Sequence, residues 1–431
     1  MSEPVKSVKI ALFGPGTVGT QVVRLLTEHA GELEQRVGAP IEIVGIYVRD
    51  TSAPRDAVID PALLTSDAHT LIDNADLVVE LMGGIEPARS YMLESIGAGA
   101  AVVTANKALL AVHGPELFEA ADANNVDLYF EASVAGAIPI IRPVRESLAG
   151  DHVKRILGIV NGTTNYVLDQ MTTRALDYDV AVKQAQDLGY AESDPTADVE
   201  GHDAAAKAAI LASLAFHQRV HLDDVYCEGI SAISAADVAA ATESGHVIKL
   251  LAIVERTADG VSARVHPALV PLDHPLAGVH GAFNAVFVEA EAAGELMFYG
   301  QGAGGTPTAS AVLGDIVSAA RHIAQGGRGP RESHYADLPV LPIEASSSRF
   351  QLRMTVHDEP GVLAGIATTL AQRGVSIEAV RQKVVGVDTG LAAIVISTHR
   401  APESAVAKVL DALRASDAVA EISSVLRIEG E

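Results

Sequence analysis

Asp203 and Lys207 are the residues of this sequence best placed to do chemistry. They stand four apart in Gly201-His202-Asp203-Ala204-Ala205-Ala206-Lys207-Ala208-Ala209-Ile210-Leu211, so on a helix they share one face. The plain account would be an exposed i,i+4 ion pair contributing about 0.3 kcal/mol. The rest of the segment, however, is apolar nearly all round, which predicts a buried helix. A buried lysine and aspartate need each other or a polar ligand. A lysine so placed can have its pKa lowered and can give or take a proton. Just upstream, Gly189-Tyr190-Ala191-Glu192-Ser193-Asp194-Pro195 and then Asp198 supply three carboxylates. Glu192 could hold a substrate ammonium. All three could instead cap turns, and Asp194, standing before a proline, reads that way.

A second constellation lies near the start. Gly14-Pro15-Gly16-Thr17-Val18-Gly19 follows an apolar strand over 8–13 and opens a helix running from 17 towards 28. Gly14 allows the tight turn, Gly16 a close backbone approach to a pyrophosphate, and Gly19 the packing of helix on strand. The N–H groups of Thr17 and Val18 then sit at a helix N-terminus that favours phosphate. A glycine-rich turn in an ordinary α/β fold is the alternative, and the strand–loop–helix context favours a dinucleotide. The second strand ends Tyr47-Val48-Arg49-Asp50. Arginine there accommodates the 2′-phosphate of NADP, and an acid binds the ribose hydroxyl of NAD. Arg49 comes first, so NADP(H) is favoured, and Asp50 leaves lesser use of NAD(H) open. A surface arginine solvated at a strand end is the competing account.

These residues need elements to hold them. In the first third, apolar runs at 8–13, 41–48, 77–82, 101–104 and 127–131 alternate with helical patterns, the signature of a parallel sheet with crossover helices. From 175 to 217 the chain is alanine-rich and mainly helical, broken at Gly189-Tyr190 and Asp194-Pro195, and a further apolar helix covers 308–324. Gly326-Gly327-Arg328-Gly329-Pro330, Pro339, Pro342 and Ser346-Ser347-Ser348 read as a linker. Beyond it come a strand over 349–357, a helix over 361–372, two strands about a turn at 386–390, a helix over 404–413 and a strand ending near 428. That is a βαββαβ, ferredoxin-like module compact enough to fold alone. The fold class is α/β in three parts. A Rossmann-type dinucleotide domain spans 1–131 and an α+β catalytic and dimerisation domain 132–325; after a linker at 326–348, the ferredoxin-like domain spans 349–431.

Bulk properties exclude several functions. With 31 Lys and Arg against 55 Asp and Glu the net charge is −24, which argues against nucleic acid or an anionic membrane as partner. No segment has the roughly 18 successive apolar residues of a membrane span, and the N-terminus shows no signal-peptide core. The single cysteine, Cys227, precludes an internal disulfide and suits a reducing cytoplasm. An anionic ligand must then meet local cations, which returns attention to Arg49 and Lys207.

The residues also carry a resemblance. Ala185, Gly189-Tyr190-Ala191, Asp194-Pro195, Asp198-Val199, Gly201, Asp203 and Lys207 match the spaced signature of homoserine dehydrogenases. Thr104-Ala105-Asn106-Lys107, Glu131-Ala132-Ser133-Val134-Ala135-Gly136, Asn161-Gly162-Thr163-Thr164-Asn165-Tyr166 and Gly302-Ala303-Gly304 follow in order. Asp358-Glu359-Pro360-Gly361-Val362-Leu363 makes the C-terminal module resemble an ACT domain, a family of amino-acid sensors. The resemblance implies reversible hydride transfer between L-aspartate 4-semialdehyde and L-homoserine. It implies Lys207 as proton donor, Asp203 beside it binding and orienting the substrate, and Lys107 beside nicotinamide and substrate, with either lysine able to move the proton. It further implies Glu192, Gly189 and Tyr190 around the substrate, and Thr104, Lys107, Gly189 and Gly304 around the cofactor. For a monovalent cation, sodium by its hardness, it implies Glu131 and the carbonyls of Val134, Gly136 and Ile138. A plain strand-to-domain crossover is the other reading of that loop. A homo-oligomer, dimer or tetramer, with L-threonine as effector completes the expectation. Two alternatives stay open: another Rossmann–ACT oxidoreductase acting on a hydroxy acid, and a nucleotide-binding sensor without catalysis.

Overall fold

The computed structural model describes residues 6–384 and 389–430. The nucleotide domain holds strands β1 (Val8–Phe13), β2 (Ile41–Tyr47), β3 (Leu64–Thr65), β4 (Leu77–Glu80), β5 (Ala101–Thr104) and β6 (Leu128–Tyr129). They form a parallel sheet in the order β3-β2-β1-β4-β5-β6. Helices α1 (Thr17–Glu28), α2 (Ala30–Val37), α3 (Ala68–Asp73), α4 (Ala88–Gly97) and α5 (Lys107–Ala123) cover it. Coverage of both faces explains why β4 and β5 are buried at every position and read as unbroken apolar runs. In α1, Gly19, Val22, Val23 and Leu26 make the buried stripe expected of an amphipathic helix. The strand order reverses beside β1, which opens a crevice at the carboxyl ends of β1 and β4.

Three strand ends differ from the sequence reading. The second strand stops at Tyr47. The run at 77–82 stops at Glu80, whose carboxylate accepts from the backbone N–H of Met82 and Gly83 and curls the chain. The run at 127–131 keeps only β6, because Glu131 opens a 3₁₀ turn, Glu131–Ser133.

The middle of the chain comprises β7 (Val153–Ile159), α6 (Gly162–Arg174), α7 (Tyr178–Asp187), α8 (Thr196–Val199), α9 (His202–Phe216), β8 (Tyr226–Cys227) and α10 (Ala235–Glu243). It continues with β9 (His246–Arg256), β10 (Val261–Pro271), β11 (Phe283–Ala290), β12 (Gly294–Gln301) and α11 (Gly305–Gln325). The long strands make an antiparallel sheet, β12-β11-β7-β9-β10. Residues of α6 and α9 share its main core. Helix α11, last in the domain by sequence order, returns to the nucleotide domain: Ala309, Val312, Ile316 and Ala319 pack with Ile10, Leu12, Val22 and Val79. Among the described residues no helix is long and apolar enough to cross a membrane.

The C-terminal domain has the expected βαββαβ order: β13 (Ser347–His357), α12 (Val362–Ala371), β14 (Ile377–Val384), β15 (Leu391–Thr398), the short β16 (Ala401–Pro402), α13 (Glu403–Arg414) and β17 (Val419–Ile428). Its own core gathers Phe350, Leu352, Met354, Ile366, Leu370, Ile394, Ile396, Val406 and Val409. The turn read at 386–390 lies, as far as Asp388, outside the described residues.

This domain is joined to the rest more closely than its composition suggested. β17 pairs in parallel with β10 through Ala268↔Arg427 and Leu269↔Ile428, so one sheet runs β12-β11-β7-β9-β10-β17-β13-β15-β14. Glu429, 2% exposed, accepts from Arg264 at 3.3 Å, Arg155 at 3.5 Å and Ser348 at 3.2 Å. Segment 326–348 is likewise strapped down. The N–H of Gly329 donates to Asp127, that of Leu338 to Gln218, and Val261 exchanges backbone bonds with Pro339 and Leu341. Gly, Pro and Ser signal the absence of helix, not freedom, because backbone groups can be satisfied by side chains of other elements. Glu429→Ala is therefore expected to lower stability by about 3 kcal/mol, the scale for removing one member of a buried ionic cluster. A denaturant melt reads it, and an unchanged midpoint would show that the junction carries no stability.

Candidate functional site

Two hollows lie along the carboxyl ends of the parallel strands. The smaller, 310 Å³, is lined by Gly14, Pro15, Gly16, Tyr47, Val48, Arg49 and Arg55. Two of the loop's three glycines have a steric reason. Gly14 has φ +96°, and a Cβ there would lie 2.8 Å from the Leu81 carbonyl oxygen; one on Gly19 would lie 2.3 Å from that of Gly14. Gly16 faces open space. Helix α1 begins at Thr17 with no side-chain cap, which leaves its first N–H groups for an anion. The cradle fits a dinucleotide. Arg49 and Arg55 are both exposed at its rim. Asp50 instead turns into its own loop, accepting from Ser52 N at 2.8 Å and Ser52 Oγ at 2.6 Å, bonds that hold its carboxyl below the usual range.

The larger hollow, 770 Å³, takes its walls from both domains: Val18, Ala105, Lys107, Gly189, Tyr190, Glu192, Asp203, Lys207, Gly304 and Thr308 all face it. Gly304, at φ +127°, caps α11. Thr104, a cofactor contact by sequence, is fully buried. Its hydroxyl donates to Glu80 at 2.7 Å and accepts from the N–H of Asn106 at 3.0 Å. It thereby shapes the loop before Lys107 from inside the wall.

At the floor of this cleft the predicted helix is α9, and it is buried at almost every position. Lys207 Nζ donates to Asp203 Oδ2 and to the Val160 carbonyl, each at 2.6 Å. Lys107, the first residue of α5, reaches Asp203 Oδ1 at 2.8 Å. Asn161 Nδ2 bridges Asp203 Oδ2 at 2.9 Å and Asp198 Oδ1 at 2.7 Å. Burial pushes the Asp203 carboxyl up, but the flanking Lys207 and Lys107 ammonium groups prevail and hold it well below the ordinary range. The two ammonium groups meet the Asp203 carboxylate directly and the Asp198 carboxylate through Asn161, so the cluster balances its own charge in a strongly acidic chain. An ammonium has three N–H bonds, and Lys207 commits two, so one remains for a ligand oxygen.

The substrate-side residues lie on the turn between α7 and α8. Gly189, at φ +75°, and Tyr190 and Glu192 line the cleft, and the Tyr190 carbonyl is held by Thr163 Oγ1 at 2.7 Å. Asp194 caps its own turn, accepting from Thr196 N at 3.1 Å and Thr196 Oγ1 at 2.6 Å, as its place before a proline suggests.

Glu131, expected as a cation ligand, also has a structural task. Buried at 4% exposure, it accepts from the N–H groups of Ile140 at 2.6 Å, Ile141 at 2.7 Å and Arg142 at 2.9 Å. Its own N–H donates to Asp315 Oδ2 at 2.8 Å. Asp315 is ion-paired with Arg142, yet burial pushes its carboxyl up to about 7. Glu131 is thus a brace tying the domain crossover to α11, with three amide donors on the roughly four acceptor sites of its carboxylate. The rest of the expected ligand set is the main-chain carbonyls of Val134, Gly136 and Ile138.

Residues 139–317 match the homoserine dehydrogenase family, residues 14–131 the homoserine dehydrogenase NAD binding domain, and residues 350–417 the ACT domain. The chain is 55% identical over 433 residues to the homoserine dehydrogenase of Corynebacterium glutamicum, covering 99% of this chain and 96% of that one. This chain belongs to the homoserine dehydrogenase family. It is an NAD(P)-dependent oxidoreductase with a C-terminal ACT domain. The homoserine dehydrogenase of Bacillus subtilis is 40% identical over 430 residues, with 99% of each chain covered. Among solved structures, that of a homoserine dehydrogenase from Thiobacillus denitrificans superposes with a TM-score of 0.93 at 40% identity over 99% of each chain. A hyperthermophilic archaeal homoserine dehydrogenase in complex with NADPH superposes with a TM-score of 0.62 at 28% identity, over 73% of this chain and 98% of that one.

The dehydrogenase site contains partners that sequence spacing did not assign to it. Asn161 and Asp198 join the Asp203 cluster, and Arg55 joins Arg49 at the nucleotide pocket. Asn161 was legible only as part of a family motif; its second signal, an N-cap position opening α6, gives no hint of which carboxylates it meets. Lys249 of β9, 2% exposed, donates to Asn165 Oδ1 at 3.0 Å and to the Val279 carbonyl at 2.5 Å. Asn165 Nδ2 in turn holds the carbonyls of Val279, Gly281 and Phe283. Asp169 accepts from the N–H of Gly281 at 2.9 Å and lies 2.8 Å from His280 Nδ1. These side chains staple loop 279–283 to α6, and the loop's Ala282 and Phe283 wall the cleft.

Proposed function

We propose that this dehydrogenase interconverts L-homoserine and L-aspartate 4-semialdehyde with NADP(H) as its preferred cofactor. The observation that carries the reading is the Lys107–Asp203–Lys207 cluster at the floor of a cleft that runs on from the glycine loop. The dinucleotide, when bound, gives or takes the hydride. Lys207 serves the other half of the reaction: its remaining N–H donates to the substrate's side-chain oxygen, and the proton passes to that oxygen as alkoxide charge develops. Asp203 holds both ammonium groups in register, and Lys107, with a half-exposed side chain, adds positive charge at the cofactor end. Glu192 supplies the carboxylate for the substrate's ammonium, and the open start of α6 at Gly162 and Thr163 suits its carboxylate. Arg49 and Arg55 receive the 2′-phosphate.

The finer expectations belong to the same reading. A sodium ion at loop 131–138 rests on Glu131 and main-chain carbonyls, and no step above depends on it. The ACT domain senses L-threonine and changes activity through the shared sheet, with the chain working as a homo-oligomer in a reducing cytoplasm suited to its single cysteine. The test is direct. NADP⁺ with L-homoserine should raise absorbance at the NADPH band, more slowly with NAD⁺, and added threonine should depress the rate. Absence of turnover with either cofactor sinks the reading; turnover that ignores threonine removes only the regulatory part.

A further inference from the structure

We propose that Asn284 is a cofactor-binding residue whose side-chain amide pairs with the carboxamide of the bound nicotinamide; the proposal rests on the dinucleotide reading above. Asn284, near the start of β11, is 1% exposed and lies in the wall of the 770 Å³ cleft. Its side-chain oxygen is buried with no hydrogen-bond partner among the described residues. A buried acceptor left unmade carries a desolvation penalty that native interiors rarely leave in place. A ligand that donates to it removes that penalty, and one that also accepts from the adjoining Nδ2 uses the whole amide.

Position indicates which ligand. A Cβ on Gly302 would lie 1.9 Å from Asn284 Nδ2, so the chain is glycine there to make room for this amide. From Gly302 the backbone runs through Ala303 and Gly304 into α11, where a Cβ on Gly305 would be 3.1 Å from Thr17 of the dinucleotide helix. On the other side, a Cβ on Gly162 would be 3.5 Å from Asn284 Oδ1, and Gly162 follows Asn161, which holds Asp203. Asn284 therefore stands between the end of the cleft reached from the glycine loop and the end holding Lys207. A reacting nicotinamide must occupy that boundary.

Chemistry makes the same choice. An ammonium offers only donors and a carboxylate only acceptors. A primary carboxamide offers a donor and an acceptor side by side, the complement of the asparagine amide in a two-bond ring. The Asn165 and Lys249 staples on loop 279–283 hold the residue in place from the preceding side.

Calorimetric titration of Asn284→Ala and Asn284→Asp tests this with three ligands. These are NADPH, its 3-acetylpyridine analogue (a methyl group in place of the carboxamide NH₂) and 2′-phospho-ADP-ribose, which has no nicotinamide. Two neutral hydrogen bonds predict an NADPH Kd raised about 5- to 30-fold in both variants. The loss should be clearly smaller for the acetylpyridine analogue and absent for phospho-ADP-ribose. Unchanged NADPH affinity, equal losses for NADPH and the analogue, or a matching loss of phospho-ADP-ribose would each overturn the assignment. Asn284→Asp keeps the side-chain volume, so a result confined to the alanine variant also overturns it by pointing to a cavity. If the wild-type protein binds neither NADPH nor phospho-ADP-ribose, the dinucleotide reading itself fails; if it binds both and the variants behave as wild type, only the role of Asn284 does.

Discussion

Lys207→Ala is expected to cut turnover by about 10²- to 10⁴-fold, the range for losing a positioned general acid–base group, while NADPH binds with nearly unchanged affinity. The geometry separates this effect from misfolding. Asp203 would still be held by Lys107 at 2.8 Å and by Asn161 at 2.9 Å, so no carboxylate is stranded by the substitution. Removing a side chain 8% exposed leaves a gap beside the cleft, where water can enter, and the helix keeps its apolar packing. The expected signature is a fall in kcat with intact cofactor titration. A variant retaining more than about a tenth of wild-type activity would show that Lys207 is not the proton-transfer group, and Lys107→Ala would then be the variant to measure.

The second large effect concerns cofactor choice. Two exposed guanidinium groups, Arg49 and Arg55, face one pocket, and their contributions are expected to add. Arg49→Ala is expected to raise the Kd of NADPH about 10-fold, and Arg49→Ala with Arg55→Ala about 100-fold, for charge-assisted bonds of roughly 1.5 kcal/mol each. NADH, lacking the 2′-phosphate, should change less than about threefold by the same reasoning. Raised ionic strength should weaken NADPH binding to the wild type and hardly affect the double variant, since exposed charges are screened. Equal losses for NADPH and NADH would make Arg49 a structural residue and return the choice of cofactor to Asp50.

The two regulatory expectations are now less alike than sequence made them. The archaeal structure with NADPH covers nearly all of its own chain but 73% of this one, about the share of the nucleotide and catalytic domains. A shorter chain, matching about three quarters of this one, thus occurs in the family. In this chain, however, β10 ends against β17, and Arg155 and Arg264 lie against Glu429. Cutting after Gly326 would leave buried cations short of a partner, so loss of stability and loss of the proposed threonine response would arrive together. Glu429→Ala, which keeps the domain, separates them.

Much of this protein is legible in one dimension. The strand–glycine loop–helix run from Val8 to Glu28 identifies the dinucleotide domain because each of its signals, apolar run, glycine spacing and helical stripe, is local. The burial of Lys207 follows from an α9 apolar on every side, and the βαββαβ order of the last domain follows from alternating periodicities. What only the tertiary structure decided concerns partners distant in sequence. Lys107 and Asp203 lie 96 positions apart, as their numbers give, and meet because α5 and α9 converge on one cleft. Glu131 was read as a cation ligand, and the turn after it also brings three N–H groups onto its carboxylate. Segment 326–348 was read as a free linker, but its backbone groups find Gln218, Asp127 and Val261. Residue type and spacing state what a group needs, a proton, a charge or a hydrogen bond. Which group answers that need depends on chain reversals that bring remote segments together, and no local pattern encodes them.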